Sequence, residues 1–431
     1  MQRRWMVGVA FVTFSLGILA GDGIPMGNAV FYPSVEATYT HTDNLYLQDA
    51  SMPEGGVSDS FWLVRPKLGF EFPFKQSYLR LDLAYQYKDY QDFRLSEHNT
   101  YDVNLLGNFA FGPGLKLKIQ EEFTQGVQET RKFDPGYEQY FGNDKFHANN
   151  LRVGLEFPMG RLDSLEVYGL YDKVSFSWGS NPSDNRPFYD FWSAGGGFTW
   201  RHKYNPTSAW LLDASYVTTK PQRQAADVNL RTTLDKKNNA YKIMAGWEGA
   251  WSQYFGGYAK AGYERMNYTQ NGYGDFSGVS VDAGLGFTPS EFLKVNLDLF
   301  RNPYQSVYNV NNYYTATGAN LLVHYEFSRF LFFSAGYKYQ ENKYPDAVVA
   351  DVFGTGTPTS LEFLQTAGQV RKDKIGTLIG EVGYHLSKQF SLKANYQYED
   401  RNSNIHYFNL WEIKPYSYKE NRFMVQAQIG W

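Results

Sequence analysis

The chain has 431 residues, a formal net charge of −3, 18% aromatic residues and no cysteine. This charge balance excludes the basic surface of a nucleic-acid-binding protein, and the lack of cysteine excludes disulfides and thiolate metal sites. The mean hydropathy of −0.49 resembles that of a soluble protein. A membrane β-barrel gives the same average, because half of each strand and most of its loops are polar.

The N-terminus carries the only long apolar stretch. Arg3 and Arg4 precede an apolar segment that ends at Ala20, and Gly27-Asn28-Ala29 offers small residues for cleavage. This order predicts a secretory signal peptide over residues 1–29, with cleavage after Ala20 or an uncleaved helix as alternatives. No later stretch approaches the roughly 20 apolar residues of a spanning helix. We therefore expect residues 30–431 to form one exported domain.

The rest of the chain repeats segments of strand length in which apolar and polar residues alternate. Between Tyr78 and Lys88, leucine and tyrosine occupy every odd position, whereas the even positions include Arg80 and Asp82. Successive strand residues point to opposite sides, so one face is apolar and the other polar. About ten residues of such alternation are typical of a transmembrane β-barrel strand.

About eighteen such strands are predicted, an even number, as bacterial single-chain barrels have, although about 16 to 20 remain possible. They lie near residues 31–39, 59–72, 77–90, 99–111, 115–124, 149–157, 165–178, 189–200, 209–218, 239–250, 256–267, 276–287, 294–302, 313–326, 331–343, 373–386, 391–400 and 418–431. Tyr90, at the end of one of them, is predicted to belong to an interfacial aromatic girdle.

Short connections alternate with long ones along the chain. Gly112-Pro113-Gly114 and Pro289-Ser290 have the composition of tight turns, whereas 125–148 and 344–372 are long. This asymmetry predicts short periplasmic turns, long extracellular loops and both termini in the periplasm of a Gram-negative bacterium. A soluble β-sandwich or propeller is the structural alternative, but strands of about 10 to 14 residues are long for those folds. Whether loop 344–372 plugs the channel, caps it or packs as a surface loop stays open.

A barrel of this size is wide enough to enclose water. Eighteen strands about 4.8 Å apart and tilted by about 40° give a backbone diameter of roughly 35 Å, which predicts transport. The candidates for lining the lumen are Arg65, Lys67, Arg80, Asp82, Lys88, Lys116, Lys118, Lys294, Asn296, Asp298, Lys393, Asn395, Gln397, Glu399 and Arg422. Both signs of charge are represented, so strong ion selectivity is not predicted.

No catalytic or cofactor-binding pattern stands out. The seven histidines are scattered, without a pair at metal-ligand spacing, and no Gly-x-Ser-x-Gly elbow occurs. His385-Leu386-Ser387 contains a His-x-Ser triplet, but it lies in a predicted tight turn. The chain is therefore predicted not to be an enzyme and to bind no cofactor.

Two regions carry a resemblance to a known family. Near the start, the strand Pro33–Tyr39 leads to Thr42-Asp43-Asn44-Leu45; near the end, Leu392–Arg401 is followed by Ser403, Asn404 and the final strand. These segments resemble the outer-membrane barrels of exopolysaccharide export loci, the β-barrel porin 2 group. The resemblance implies a polysaccharide substrate and a periplasmic polysaccharide-export lipoprotein as partner, and it supplies no catalytic residues.

The C-terminus and the location suggest further partners. Phe423, Val425, Ala427, Ile429 and Trp431 share one face of the last segment, and a terminal aromatic there resembles the signal read by the outer-membrane assembly machinery. Outer-membrane lipids are the expected surroundings, and no nucleic acid is expected. Exopolysaccharide export is the first functional hypothesis. A general or sugar-specific diffusion porin is the second, and a sleeve for a partner protein such as a cytochrome is the third.

Overall fold

The computed structural model describes residues 23–45, 47, 56–92, 98–112, 114–127, 145–177, 191–221, 236–269, 274–306, 311–347, 368–409, 412–415 and 417–431. The strands within these ranges are β1 (Ile24–Met26), β2 (Ala29–Thr42), β3 (Asp59–Phe74), β4 (Ser77–Tyr90), β5 (His98–Phe111), β6 (Leu115–Val127), β7 (Lys145–Met159), β8 (Asp163–Ser177), β9 (Phe191–Asn205), β10 (Ser208–Pro221), β11 (Asn238–Ala250), β12 (Phe255–Tyr268), β13 (Phe276–Phe287), β14 (Leu293–Gln305), β15 (Tyr313–Glu326), β16 (Leu331–Ala347), β17 (Val370–His385), β18 (Phe390–Ser403), β19 (His406–Asn409), β20 (Glu412–Pro415) and β21 (Tyr418–Gly430).

Eighteen of these strands form one closed antiparallel barrel. Consecutive strands from β2 to β18 pair with each other, and β21 pairs with both β18 and β2. At this seam Ser34 lies opposite Gly430 and Thr42 lies opposite Arg422. The predicted all-β barrel of about eighteen strands is confirmed. Strand β1 forms a small hairpin with β2, and β19 and β20 pair with each other in a separate two-stranded sheet.

The pairing register fixes the tilt and the width of the barrel. Following the opposed residues once around from Val35 returns to β2 about 22 residues farther along the chain. With eighteen strands about 4.8 Å apart, this stagger gives a tilt of about 40° and a backbone diameter of about 35 Å. The interior is therefore wide enough to hold water as well as side chains.

The connections alternate in length as predicted. At one end, called the turn end, short links join β3 to β4, β5 to β6 and each later pair through β17 to β18. Gly160, with a φ of 84°, makes the turn between β7 and β8, a conformation that favours glycine. The opposite end, called the loop end, carries the longer connections. Both ends of the described barrel chain, at β2 and β21, lie at the turn end.

Several strands extend farther than the sequence pattern indicates. Strand β9 runs to Asn205, whereas the predicted strand ends near residue 200. The extension is stabilised because β9 stays paired with β8 and β10, with His202 opposite Asp163 and Trp210. The His202 Nδ1 atom lies 2.9 Å from Asp163 Oδ1. Polar residues beyond the apolar segment of a strand can still form backbone hydrogen bonds with the neighbouring strands. The end of the apolar/polar alternation in the sequence therefore does not mark the end of the strand.

The distribution of exposure is the reverse of that in a soluble protein. On β8, 49% of Val167 is exposed but only 3% of its neighbour Glu166. On β17, Leu378 is 48% exposed and Thr377 is 6% exposed. An apolar surface of this kind on a closed barrel is suited to lipid. The described residues contain no helix long and apolar enough to cross a membrane.

The prediction for Tyr90 is wrong. Its side chain is buried, 8% exposed, and its ring packs on Phe61 with centroids 4.8 Å apart. Tyr90 has the same parity along β4 as Lys88, and so it shares the polar face. An aromatic residue at a strand end lies at the lipid interface only when its parity is that of the outer face.

Candidate functional site: the inner wall of the barrel

Side-chain contacts between non-adjacent strands identify the inner face of the barrel. Lys118 Nζ on β6 lies 2.8 Å from Glu166 Oε2 on β8, so the contact passes over β7. Arg65 Nη2 on β3 lies 3.0 Å from Asp102 Oδ2 on β5, passing over β4. Side chains converge on the concave side of a closed barrel and diverge on the convex side, so these polar side chains point inward.

The predicted lining residues share the alternation of this inner face. The structure places on it Arg65, Lys67, Arg80, Asp82, Lys88, Lys116, Lys118, Lys294, Asn296, Asp298, Lys393, Asn395, Gln397, Glu399 and Arg422. They do not form one site. They fall into separate groups around the wall. Arg80 and Asp82 contact each other, and a further six contact carboxylates that were not among the predicted residues: Arg65, Lys67, Lys116, Lys118, Lys294 and Arg422.

The densest group of charges lies toward the turn end of β6 to β11. We call it the turn-end network, and it comprises Lys116, Lys118, Arg152, Arg201, Glu156, Glu166 and Glu248. Glu166 is its centre, because its carboxylate lies 2.7 Å from Arg152, 2.8 Å from Lys118 and 3.6 Å from Arg201. Only 4% of the Glu166 side chain is exposed.

The turn-end network extends along the wall through two further carboxylates. Glu156 lies 3.7 Å from Lys116 and 2.5 Å from Lys118, and Glu248 lies 3.5 Å from Arg201. Its four cations and three carboxylates leave one positive charge. Of its seven members, the sequence predicted only Lys116 and Lys118. The two arginines and the three carboxylates were missed, although each alternates along its strand with apolar neighbours such as Val167.

A second group is buried in the wall toward the loop end. Asp373 on β17 accepts hydrogen bonds from Arg371 Nη2 at 2.8 Å and from Arg401 Nη2 on β18 at 2.6 Å. The three side chains are 3% exposed or less. The Arg371 guanidinium also lies over the Tyr344 ring, 4.5 Å from its centroid. We call Tyr344, Arg371, Asp373 and Arg401 the loop-end cluster.

Polar contacts continue from the loop-end cluster to the seam of the barrel. Glu399 on β18 accepts hydrogen bonds from Tyr418 at 2.5 Å and from Thr377 at 3.2 Å. Glu420 on β21 accepts one from Thr42 on β2 at 2.8 Å. The Thr42–Glu420 bond crosses the seam between β2 and β21, so the polar wall also stabilises barrel closure.

The longest loop starts and ends at the loop-end cluster. Tyr344 and Arg371, near its two ends, contact each other on the inner wall. Residues 348–367 lie outside the described part of the chain. The hypothesis that this loop plugs or caps the channel therefore stays a prediction.

The arrangement supplies a mixed polar wall. In the described part of the chain, no group of three or more His, Asp or Glu side chains is arranged to hold a metal ion. The inner face instead offers ammonium, guanidinium, carboxylate, amide and hydroxyl groups in turn. Such a lining hydrates a channel and forms hydrogen bonds with polar solutes.

Comparison with known proteins gives one family match. The family model described as "Putative beta-barrel porin 2" matches residues 20–429. No curated protein matches the chain.

Solved structures with a similar fold are distant in sequence. OccK2 (OpdF) of Pseudomonas aeruginosa is 12% identical, with 93% of this chain and 98% of that chain covered and a TM-score of 0.44. The siderophore receptor PirA of Pseudomonas aeruginosa is 10% identical, with 93% and 80% covered and a TM-score of 0.45. The FrpB iron transporter of Neisseria meningitidis is 8% identical, with 95% and 82% covered and a TM-score of 0.45. Identities this low carry no information on the solute.

Proposed function

Because the chain belongs to the beta-barrel porin 2 family and forms a porin-like barrel of the bacterial outer membrane, we propose that it exports an exopolysaccharide across that membrane. The observation that carries the proposal is the mixed inner wall. Hydroxyl groups of a sugar chain donate to carboxylates and accept from ammonium and guanidinium groups, so both kinds of wall group serve a hydrated polymer. A diameter of about 35 Å leaves room for such a chain.

The proposal includes an orientation and partners. The turn end faces the periplasm, where both barrel termini lie, and a periplasmic polysaccharide-export lipoprotein delivers the polymer there. The outer-membrane assembly machinery inserts the barrel. A second candidate is a general or sugar-specific diffusion porin, which the family description favours and the same polar wall would serve.

A deletion strain and its complemented control separate the two candidates. Surface polysaccharide and uptake of a small sugar are measured in the same cells. We expect loss of surface polymer with unchanged sugar uptake. Intact polymer with slowed uptake would instead establish the diffusion porin.

Because the chain has no cysteine, single introduced cysteines can test whether the polymer passes through the lumen. Asn104 lies on the inner face of β5 opposite Asp82, and its neighbour Leu105 lies on the outer face opposite Leu81. We expect a bulky maleimide to reduce polymer export in cells carrying Asn104→Cys and to leave export unchanged with Leu105→Cys. Equal export from labelled and unlabelled Asn104→Cys cells, with labelling verified by mass, would contradict passage through this lumen.

The position of signal cleavage is a separate prediction. The predicted site at residues 27–29 falls on the turn between β1 and β2, where Gly27 has a φ of 62°. Cleavage after Ala20 would retain this hairpin, and cleavage after Ala29 would remove β1. We expect intact-mass measurement of the exported protein to show removal of one of these two segments. The mass of the full 431 residues would contradict a cleaved signal peptide.

A further inference from the structure

The outer surface of β14 to β17 carries a group of charged residues where its apolar band meets the loop end. This loop-end patch consists of Arg301 on β14, Glu341 and Lys343 on β16, and Lys372 and Lys374 on β17. Lys343 lies directly opposite Lys372, and Glu341 lies directly opposite Lys374. The patch therefore combines four cations with one carboxylate on three strands, β14, β16 and β17.

Strand alternation places the patch on the lipid-facing side. Arg301 has the parity of Leu299, which is 45% exposed, and the two β17 lysines have the parity of Leu378, which is 48% exposed. The Lys343 side chain is 60% exposed and that of Lys372 is 42% exposed. On the same strands, apolar side chains therefore lie directly next to the cations, in the direction of the turn end.

The carboxylate in the patch offsets only part of its positive charge. Glu341 contacts Lys343 at 2.8 Å and Lys372 at 3.0 Å, so one anion is shared between two ammonium groups. Like charges directly opposite each other on neighbouring strands are unfavourable. Three positive charges remain over the patch as a whole, which favours an additional anion.

The turn end of the outer surface is different, because it is rich in exposed aromatic residues. These include Phe74, Phe111, Trp210, Trp251 and Phe327, each more than half exposed. Aromatic rings fit an interface without requiring a particular head-group charge. The cationic patch therefore distinguishes the loop end over β14 to β17 from the turn end.

We propose that the loop-end patch binds the phosphate-bearing head groups of membrane lipids. The acyl chains would lie along the exposed apolar side chains of β14 to β17, and the phosphates would contact Lys343, Lys372 and Lys374. Arg301, the member of the patch on β14, donates from Nε to the Val279 carbonyl oxygen and from Nη1 to Thr317 Oγ1, both at 3.3 Å. This site concerns the outer surface and is independent of what passes through the lumen.

Native mass spectrometry of the purified full chain in detergent tests the proposal. The probes are bisphosphorylated lipid A, the same lipid without its phosphates, phosphatidylglycerol and phosphatidylcholine. The test variant combines Lys343→Gln, Lys372→Gln and Lys374→Gln. The matched control combines Lys145→Gln, Lys173→Gln and Lys220→Gln, which removes the same charge from the outer loop end of β7, β8 and β10.

We expect the native chain to retain lipid A, phosphatidylglycerol or both, and to retain the dephosphorylated lipid and phosphatidylcholine at least about tenfold less. The test variant is expected to lose that preference and the control variant to keep it. Preference for lipid A over phosphatidylglycerol would identify a phosphorylated saccharolipid as the ligand, and equal retention would identify phosphate charge alone. Binding independent of phosphate, or equal losses in both variants, would overturn the proposal.

Discussion

Replacing Asp373 with asparagine is expected to destabilise the barrel by about 3 to 5 kcal/mol. In the native chain the Asp373 carboxylate contacts the guanidinium groups of Arg371 and Arg401, and the three side chains are almost completely buried. Removing the negative charge leaves two cations close together in a poorly hydrated part of the wall. Unfolding by guanidinium chloride in detergent micelles, followed by tryptophan fluorescence, measures the loss.

Asp82→Asn is the matched control for this prediction. Asp82 also lies on the inner face and pairs with an arginine, since Arg80 Nε donates to its Oδ2 at 2.8 Å. Its side chain is 40% exposed, so water can replace the lost contact and the expected cost is below about 1 kcal/mol. Equal losses of stability in the two variants would contradict the importance of burial in the loop-end cluster.

Much of the barrel could be predicted from the sequence because its strongest signals are local. The alternation of Leu79, Leu81 and Leu83 with Arg80 and Asp82 defines both a strand and its two faces. The regular alternation of short and long connections then gives an up-and-down order. The stagger between strands could not be predicted, because it depends on which residues pair along every strand boundary.

The sequence predicted which side chains lie on the inner face, but it did not predict which residues they contact. Arg65 was assigned to the lumen, but its partner Asp102 lies two strands away, and only register and curvature bring them together. The burial of Arg401 had no sequence signal, because an arginine on a polar face is expected to contact water. For Tyr90 the sequence did carry the signal, because its even position on β4 indicates the inner face. The prediction of an interfacial residue instead followed its aromatic character.

Replacing Glu166 with glutamine is expected to shift the ion selectivity of the channel toward anions. Glu166 is the carboxylate shared by Lys118, Arg152 and Arg201, so the substitution raises the net charge of the turn-end network from one positive charge to two. Reversal potentials across planar bilayers under a salt gradient measure the ratio of chloride to potassium permeability. We expect this ratio to rise about two- to threefold at low ionic strength and to approach the native value at about 1 M salt.

Two further variants determine whether the shift has the proposed origin. Lys118→Gln removes a cation from the same network and is expected to lower the chloride-to-potassium ratio, even if Glu166→Gln folds poorly. Glu326→Gln removes a carboxylate that is 39% exposed and pairs with Lys294 at 3.3 Å near the turn end of β15, so its effect is expected to be smaller because water and salt screen it. A shift of the same sign for Glu166→Gln and Lys118→Gln would contradict electrostatic control by this network. Opposite shifts would place the conducting path along the wall from β6 to β11.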